Sequence, residues 1–358
     1  MRPVPSRNDR GRRARWQKEG DDRFMERFLA SGLALAFALL AVAAFARTPA
    51  AQTGPEVLEA CEPGRQEIDA RDLPRSVDPA RCPVEGRVVE DGPVGSVVPP
   101  PGKGVYAEVL TTGGAEELGV RRLENGTIEL EHVGGESGGA RDAGAGSFAL
   151  ATKSLGECGD PAFDGSGWRV EDTHVYRINW RTTPRDVSRR AAISAIRQAG
   201  GNVADTVNGC GLGDRVPAGV AYKGYTARQA GVGGGACATD DGLSVVSFGS
   251  LSNPGNLAAT CVHTRTGASG YDVVTSSDAK INKTDYHWTT EPNDRRCSRR
   301  WDIEGVMTHE RGHTFGLGHV AEADHPSLTM GPTINGACQA SERSLGRGDV
   351  LGLDKKYP

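Results

Sequence analysis

Residues 309–319 read His309-Glu310-Arg311-Gly312-His313-Thr314-Phe315-Gly316-Leu317-Gly318-His319. Residues four apart lie on the same face of a helix, so His309 and His313 can present two imidazole nitrogens to one metal ion. Glu310 flanks that ion and is placed to take a proton from water rather than to bind the metal. His319 supplies a third ligand, and Gly316 permits the turn that brings the chain back to the metal. The stretch predicts a catalytic Zn²⁺ site with one open position.

The run resembles the metzincin signature, His-Glu-x-x-His-x-x-Gly-x-x-His, and Ser327-Leu-Thr-Met330-Gly-Pro332 resembles the methionine turn of the matrixin branch. The resemblance covers residues 168–358. It implies that Met330 underlies the zinc site and that the residues up to Pro332 wall the S1′ pocket. It also implies an α+β or α/β zincin-type domain, with a twisted mixed sheet, long helices and zinc in a cleft. The implied activity is hydrolysis of peptide bonds by metal-activated water, with Glu310 as general base.

Two further features concern latency and a second cation. Pro-matrixins block their zinc with a cysteine in a Pro-Arg-Cys-x-Val-type segment, and Pro79-Ala-Arg-Cys82-Pro-Val84 resembles it loosely. The resemblance makes Cys82 a candidate latency thiol, whereas a disulfide with Cys61 would consume the thiol. Asp240-Asp241-Gly242 offers oxygens to Ca²⁺, but it lacks the spacing of a calcium loop, so a plain turn is favoured.

Differences in residue composition divide the chain into three regions. Residues 1–46 are predicted to be an N-terminal extension and signal peptide, residues 47–165 a pro-region or accessory region, and residues 166–358 the matrixin-like catalytic domain. The middle region has many turn clusters and is expected to be irregular and strand-poor, or to be a small β-containing region. A strand is predicted at 104–110, and Asn125-Gly126 resembles a hairpin turn that enters another strand. The last region predicts helices at 184–198 and after an N-cap at Asp302, and strands at 174–180, 219–222, 243–248 and within 271–288.

The predicted leader is an uncharged run from Phe28 to Ala46 that ends in the small-x-small pattern Ala44-Phe45-Ala46. A second candidate, Pro49-Ala50-Ala51, follows it, so cleavage is predicted near residues 46–51. Cleavage there predicts a secreted protein, and an uncleaved run would instead anchor the chain at the outer face of the membrane. The 8 cysteines are dispersed, with no Cys-x-x-Cys pair, which predicts disulfides in an oxidising compartment. The pattern does not select a pairing.

Charge and motif content limit the partners. The full chain has a formal net charge of −4, and loss of the arginine-rich leader makes the remainder more acidic. No lysine or arginine cluster lies outside the leader, which argues against nucleic acid. A protein or peptide substrate and a monomeric chain are expected. Two alternatives are a catalytically silent zinc-binding surface module, which the intact Glu310 disfavours, and a membrane-anchored adhesion protein that acts through its N-terminal half.

Overall fold

Strands dominate the computed structural model, which describes residues 57–134, 155–268, 270–321 and 324–358. The predicted leader and its cleavage site lie outside these residues. The first strands are β1 (Glu67–Asp69), β2 (Ser76–Val77), β3 (Val88–Asp91), β4 (Val94–Val97), β5 (Lys103–Thr111), β6 (Gly114–Arg122) and β7 (Ile128–Gly134). The next are β8 (Asp164–Gly165), β9 (Trp168–Arg169), β10 (Thr173–Ile178), β11 (Gly219–Tyr225), β12 (Val232–Gly233), β13 (Ala236–Cys237) and β14 (Ser244–Gly249). The last are β15 (Asn256–Arg265), β16 (Asp272–Asn282), β17 (His287–Thr289), β18 (Arg300–Asp302) and β19 (Leu317–Gly318). The α-helices are α1 (Arg189–Ala204), α2 (Ile303–Thr314) and α3 (Arg347–Lys356).

The largest sheet is mixed. Its strand order is β11-β10-β14-β16-β15-β5-β6-β7-β2, with β9 also beside β16. Strands β11, β10, β14 and β16 pair in parallel, whereas β16, β15, β5, β6 and β7 pair antiparallel in succession. Helices α1 and α2 pack against the parallel half through a core that includes Ile196, Val246, Ile281 and Val306. The described residues therefore form an α+β fold.

The N-terminal strands are built into the same sheets as the strands that follow them. Strand β5 pairs with β15 in the large sheet, and β4 pairs with β13 in a second sheet of order β1-β3-β4-β13-β12. Strands from both sides of the predicted boundary at 165/166 thus share two sheets, and that boundary stays a prediction. The expectation of a β-containing N-terminal region is confirmed, since β5 and β7 lie where strands were predicted. The alternative of an irregular, strand-poor region was wrong, because β1 to β7 lie there and most of them are too short to give a clear alternating pattern.

Strand β15 was not predicted, although it lies at the centre of the large sheet. Its sequence is Asn256-Leu-Ala-Ala-Thr260-Cys-Val-His-Thr-Arg265, and all but the last residue are buried. A strand covered on both faces has no alternation of apolar and polar residues. The pair of alanines also gives it a weak strand preference. Strand β15 therefore lacks the alternation by which a half-exposed strand is recognised.

The first helix begins and ends later than predicted. Ser188 caps it, since its Oγ accepts the backbone N–H of Ala191 at 3.2 Å. The helix then continues through Gly200 and Gly201, beyond the predicted end at residue 198. A Cβ on Gly200 would lie 3.2 Å from a methyl carbon of Val220. Gly200 therefore allows the helix to approach β11 closely, rather than stopping it.

The second helix carries the histidine motif and is buried at every residue. Asp302 caps it as predicted, with its Oδ2 accepting the backbone N–H of Gly305 at 2.9 Å. Asn202 of α1 donates to Glu304 at 3.2 Å and to Thr308 at 3.1 Å, which fixes the two helices against each other. None of the described helices is long and apolar enough to cross a membrane.

All eight cysteines form disulfides: Cys61–Cys82, Cys158–Cys210, Cys237–Cys261 and Cys297–Cys338. The third joins β13 to β15, the two strands on which the N-terminal strands β4 and β5 are paired. The prediction of disulfides is confirmed, and the structure selects the pairing that the sequence left open.

The packing of α2 on the segment at Met330 yields a stability test. A Cβ on Gly312 would lie 2.2 Å from Sδ of Met330, so we expect Gly312→Ala to lower the free energy of unfolding by about 1–3 kcal/mol through overpacking. Chemical denaturation of the purified chain measures this. Gly201→Ala is the matched control, because its Cβ meets only a carboxyl oxygen of Asp205 at 3.5 Å. Equal stability of Gly312→Ala and the parent would contradict the contact.

Candidate metal centre

Helix α2 brings two of the predicted ligands together. His309 and His313 lie one turn apart, and their Nε2 atoms are 3.2 Å from each other. Both side chains are fully buried. Their rings stand at 76° to one another, with centroids 4.9 Å apart. The i, i+4 spacing thus directs one nitrogen from each ring to the same point.

The third histidine reaches that point because the helix ends sharply. Gly316 follows the C-cap Phe315 with φ of 92°, a left-handed conformation that favours glycine. A Cβ there would also lie 2.3 Å from the carbonyl oxygen of Trp168. The chain then turns back as β19 and delivers His319, whose Nε2 lies 2.9 Å from that of His309 and 3.1 Å from that of His313.

The outer nitrogen of each ring faces an oxygen. Nδ1 of His309 lies 2.7 Å from the carbonyl of Thr329, and Nδ1 of His313 lies 3.1 Å from the carbonyl of Leu317. Nδ1 of His319 is in ion-pair contact with the carboxyl of Glu117. These oxygens require the proton on Nδ1, which leaves the lone pair of each Nε2 pointing inward. Three acceptors that converge in this way need a cation between them.

The segment around Met330 supports the histidines from below. Met330 packs under α2 at Gly312, and its neighbour Thr329 supplies the carbonyl that faces His309. Asp349 holds this segment, because its carboxylate accepts the N–H groups of Thr329 at 2.9 Å and Met330 at 3.3 Å. Burial raises the pKa of Asp349 to about 6. Pro332 lies two residues beyond Met330 and is half-buried.

The glutamate of the motif lies beside the histidines and is also buried, with 1% of its surface exposed. The hydroxyl of Thr260 on β15 donates to Oε2 of Glu310, and Oε1 has no hydrogen-bond partner in the described part of the chain. Burial raises the pKa of the Glu310 carboxyl. A base held by β15 at the edge of the histidine cluster has the placement that proton transfer to and from a reacting peptide requires.

Two more glutamates reach the centre from the N-terminal strands, and sequence reasoning missed both. Glu108 of β5 and Glu117 of β6 lie directly opposite each other across the strand pair, with 1% and 3% of their surfaces exposed. An oxygen of Glu108 lies within 4.8 Å of ligand nitrogens of His309, His313 and His319. The available signal was one acidic residue inside the otherwise apolar run from Val105 to Leu110.

The donor set fits a zinc ion. Imidazole nitrogens and a carboxylate oxygen are the ligands that Zn²⁺ takes besides thiolate. The carboxyls of Glu108, Glu117 and Glu310 are buried together, and none of them forms an ion pair with a lysine or arginine within the described ranges. Uncompensated buried carboxylates are unfavourable, and a dication among them offsets their charge.

Two predictions about other groups are affected by the structure. Cys82 as a latency thiol was wrong, because Cys82 is bonded to Cys61 and has no thiolate to offer. At the candidate calcium turn, the carboxylate of Asp240 accepts the hydroxyls of Thr275 at 2.9 Å and Ser276 at 2.7 Å. Asp241 instead pairs with Arg228 at 2.6 Å. Calcium at this turn stays a prediction that no contact supports.

Comparison with known proteins gives one family. The matrixin family model matches residues 260–358, a span that includes α2, His319, Met330 and α3. The search of curated proteins found none that matches the chain. The family match and the residues quoted for the resemblance fall on the same segment. In this C-terminal part, the chain is similar to the matrixin-like metzincin peptidases.

Proposed function

We propose that this chain is a secreted zinc-dependent endopeptidase whose zincin-type catalytic domain spans residues 166–358. The observation that carries the proposal is the convergence of three Nε2 lone pairs beside a buried glutamate. The matrixin match over the same segment supports it. His309, His313 and His319 would hold the zinc ion.

Bound zinc would polarise the scissile carbonyl and lower the pKa of a water molecule. Glu310 would accept a proton from the attacking water and return it to the leaving amine, which is general base and general acid catalysis by one group. Thr260 orients this carboxylate through its hydroxyl. An extended peptide that took the place of β5 along β15 would bring its carbonyl to both groups, since β15 carries Thr260.

The remaining parts of the proposal concern the rest of the chain. Residues 47–165 act as a pro-region or accessory region, and the leader directs export. The four disulfides support an oxidising compartment such as the extracellular space. The substrate is a protein or peptide, and the chain acts as a monomer.

The metal site can be tested by measuring the metal content of the protein. We expect the purified chain to contain about one zinc ion, as structural and catalytic zinc sites do. His313→Ala removes one of three imidazole ligands and should leave the chain with zinc well below one equivalent after dialysis. Elemental analysis measures this. His287→Ala is the control, because His287 is exposed and pairs with Asp186 away from the site. Full zinc in His313→Ala would contradict the assigned ligands.

Catalysis is tested by cleavage of casein. Glu310→Gln retains the shape of the side chain but has no carboxylate to accept a proton, so we expect cleavage to fall by about 10²-fold or more. The measurement uses the intact chain and a form cut at a specific protease site inserted between Gly144 and Ala145. It is repeated with a chelator, which should abolish cleavage.

The exposed Glu62 provides the matched control, since Glu62→Gln makes the same chemical change away from the site. If Glu310→Gln cleaves casein at the parental rate, Glu310 is not the base. If zinc is present and neither form of the parent cleaves, the chain is a zinc-binding module rather than a peptidase.

The contact between His319 and Glu117 gives a prediction about affinity. Carboxylates that hold a ligand histidine typically contribute 10–100-fold to metal affinity, so Glu117→Ala should weaken zinc binding by about that factor. Glu117→Gln retains an oxygen acceptor for Nδ1 and should lose less. Competition with a chromophoric chelator measures both. Glu116→Ala is the control, because Glu116 lies on the opposite face of β6. Unchanged affinity in Glu117→Ala would show that the contact does not position His319.

A further inference from the structure

Strand β5 covers the sheet edge that lies beside the metal centre. In the C-terminal part of the chain β15 pairs on one side with β16, and its other side is taken by β5 over the whole span from Lys103 to Thr111. A peptide that adds to a sheet edge does so through the same backbone hydrogen bonds. The N-terminal region therefore occupies the position at which an extended substrate would lie.

The same strand places a carboxyl at the metal ligands. Glu108 pairs across the strands with Thr260, the residue whose hydroxyl donates to Glu310. An oxygen of Glu108 lies within 4.8 Å of a ligand nitrogen from each of the three histidines. Both oxygens of Glu108 are buried without a hydrogen-bond partner among the described residues. The side chain is thus directed at the histidine cluster, where the carboxyl of Glu310 is its other close neighbour.

We propose that Glu108 is the fourth protein ligand of the metal and closes the position that water must occupy during catalysis. The N-terminal region then acts as an attached inhibitor: β5 covers the substrate edge, and Glu108 covers the metal. This inference rests on the proposed function. It assigns latency to a carboxylate of β5 and not to the thiol at Cys82, which is consumed by its disulfide.

Other side chains of the strand pair fit this assignment. Tyr106, two residues before Glu108 and on the same face, packs on Trp168 with ring centroids 4.7 Å apart and lies 5.7 Å from the ring of His313. Glu117 contacts the outer nitrogen of His319. The strand pair therefore contacts the centre at several points, of which Glu108 alone would bind the metal. Glu117 and Tyr106 act by positioning and covering.

The coordination is tested with Co²⁺ in place of zinc, because its visible absorption spectrum depends on the number and type of ligands. The parent, Glu108→Ala, Glu108→Gln and Glu116→Ala are loaded as full-length chains, and folding is checked by circular dichroism. We expect the spectrum to change in both Glu108 variants and to match the parent in Glu116→Ala. Glu117→Ala should alter the affinity for Co²⁺ with little change in the spectrum of the saturated chain.

Closure of the open position is tested with acetohydroxamate, a small metal-binding probe that does not need the substrate edge. It is titrated into the cobalt-loaded full chains and followed by absorbance. Binding to Glu108→Ala should be at least about tenfold tighter than to the parent or to Glu116→Ala, because removal of the carboxylate frees one position.

Neither measurement depends on peptide cleavage, so their failure is distinct from failure of the proposed function. Unchanged spectra in both Glu108 variants would overturn the inference, and so would equal binding of acetohydroxamate to Glu108→Ala and the parent. A change that appears equally in Glu116→Ala would also overturn it, because the effect would then not come from the ligand. If Glu108→Ala does not fold, Glu108→Gln, which retains the size of the side chain, decides the outcome.

Discussion

The convergence of three imidazole nitrogens on one buried point constrains the structure around it. Two of the rings come from one helix, and that helix, α2, is buried at each residue. The third ring comes from beyond the helix, so the helix has to end within one turn of His313. The positive φ of Gly316 and the absence of a side chain at Gly312 both follow from that geometry. Asp349 then fixes the segment of Met330 through backbone N–H groups rather than through another charge.

The second constraint is the continuity of the large sheet across the N-terminal and C-terminal parts of the chain. Because β15 pairs with β16 on one side and β5 on the other, it is buried on both faces and at both edges. Thr260 belongs to this strand and also holds Glu310. Glu310 is therefore held by a strand whose backbone hydrogen bonds join both parts of the chain.

The sequence predicted the ligands, the helix that carries them and its N-cap, because these depend on local spacing and on residues with few alternative uses. His309 and His313 need only the pitch of a helix, and Asp302 needs only the start of one. It failed where the determinant is non-local. Nothing within Asn256–Arg265 marks a strand, because both of its faces are buried. The position of Glu108 at the histidines depends on the pairing of β5 with β15, and these strands are far apart in the sequence. The end of α1 was predicted too early for the same reason, since Gly200 packs against Val220, which belongs to another element.

Glu117 contributes to the centre from the same strand pair that covers it, and this has a thermodynamic consequence. A cation bound by the histidines is favoured when His319 is held by Glu117, so docking of β5 and β6 and uptake of the metal strengthen each other by the same factor. Binding of the metal and docking of the N-terminal strands would therefore be cooperative. Withdrawal of the metal should loosen the strands, and displacement of the strands should lower the hold on the metal.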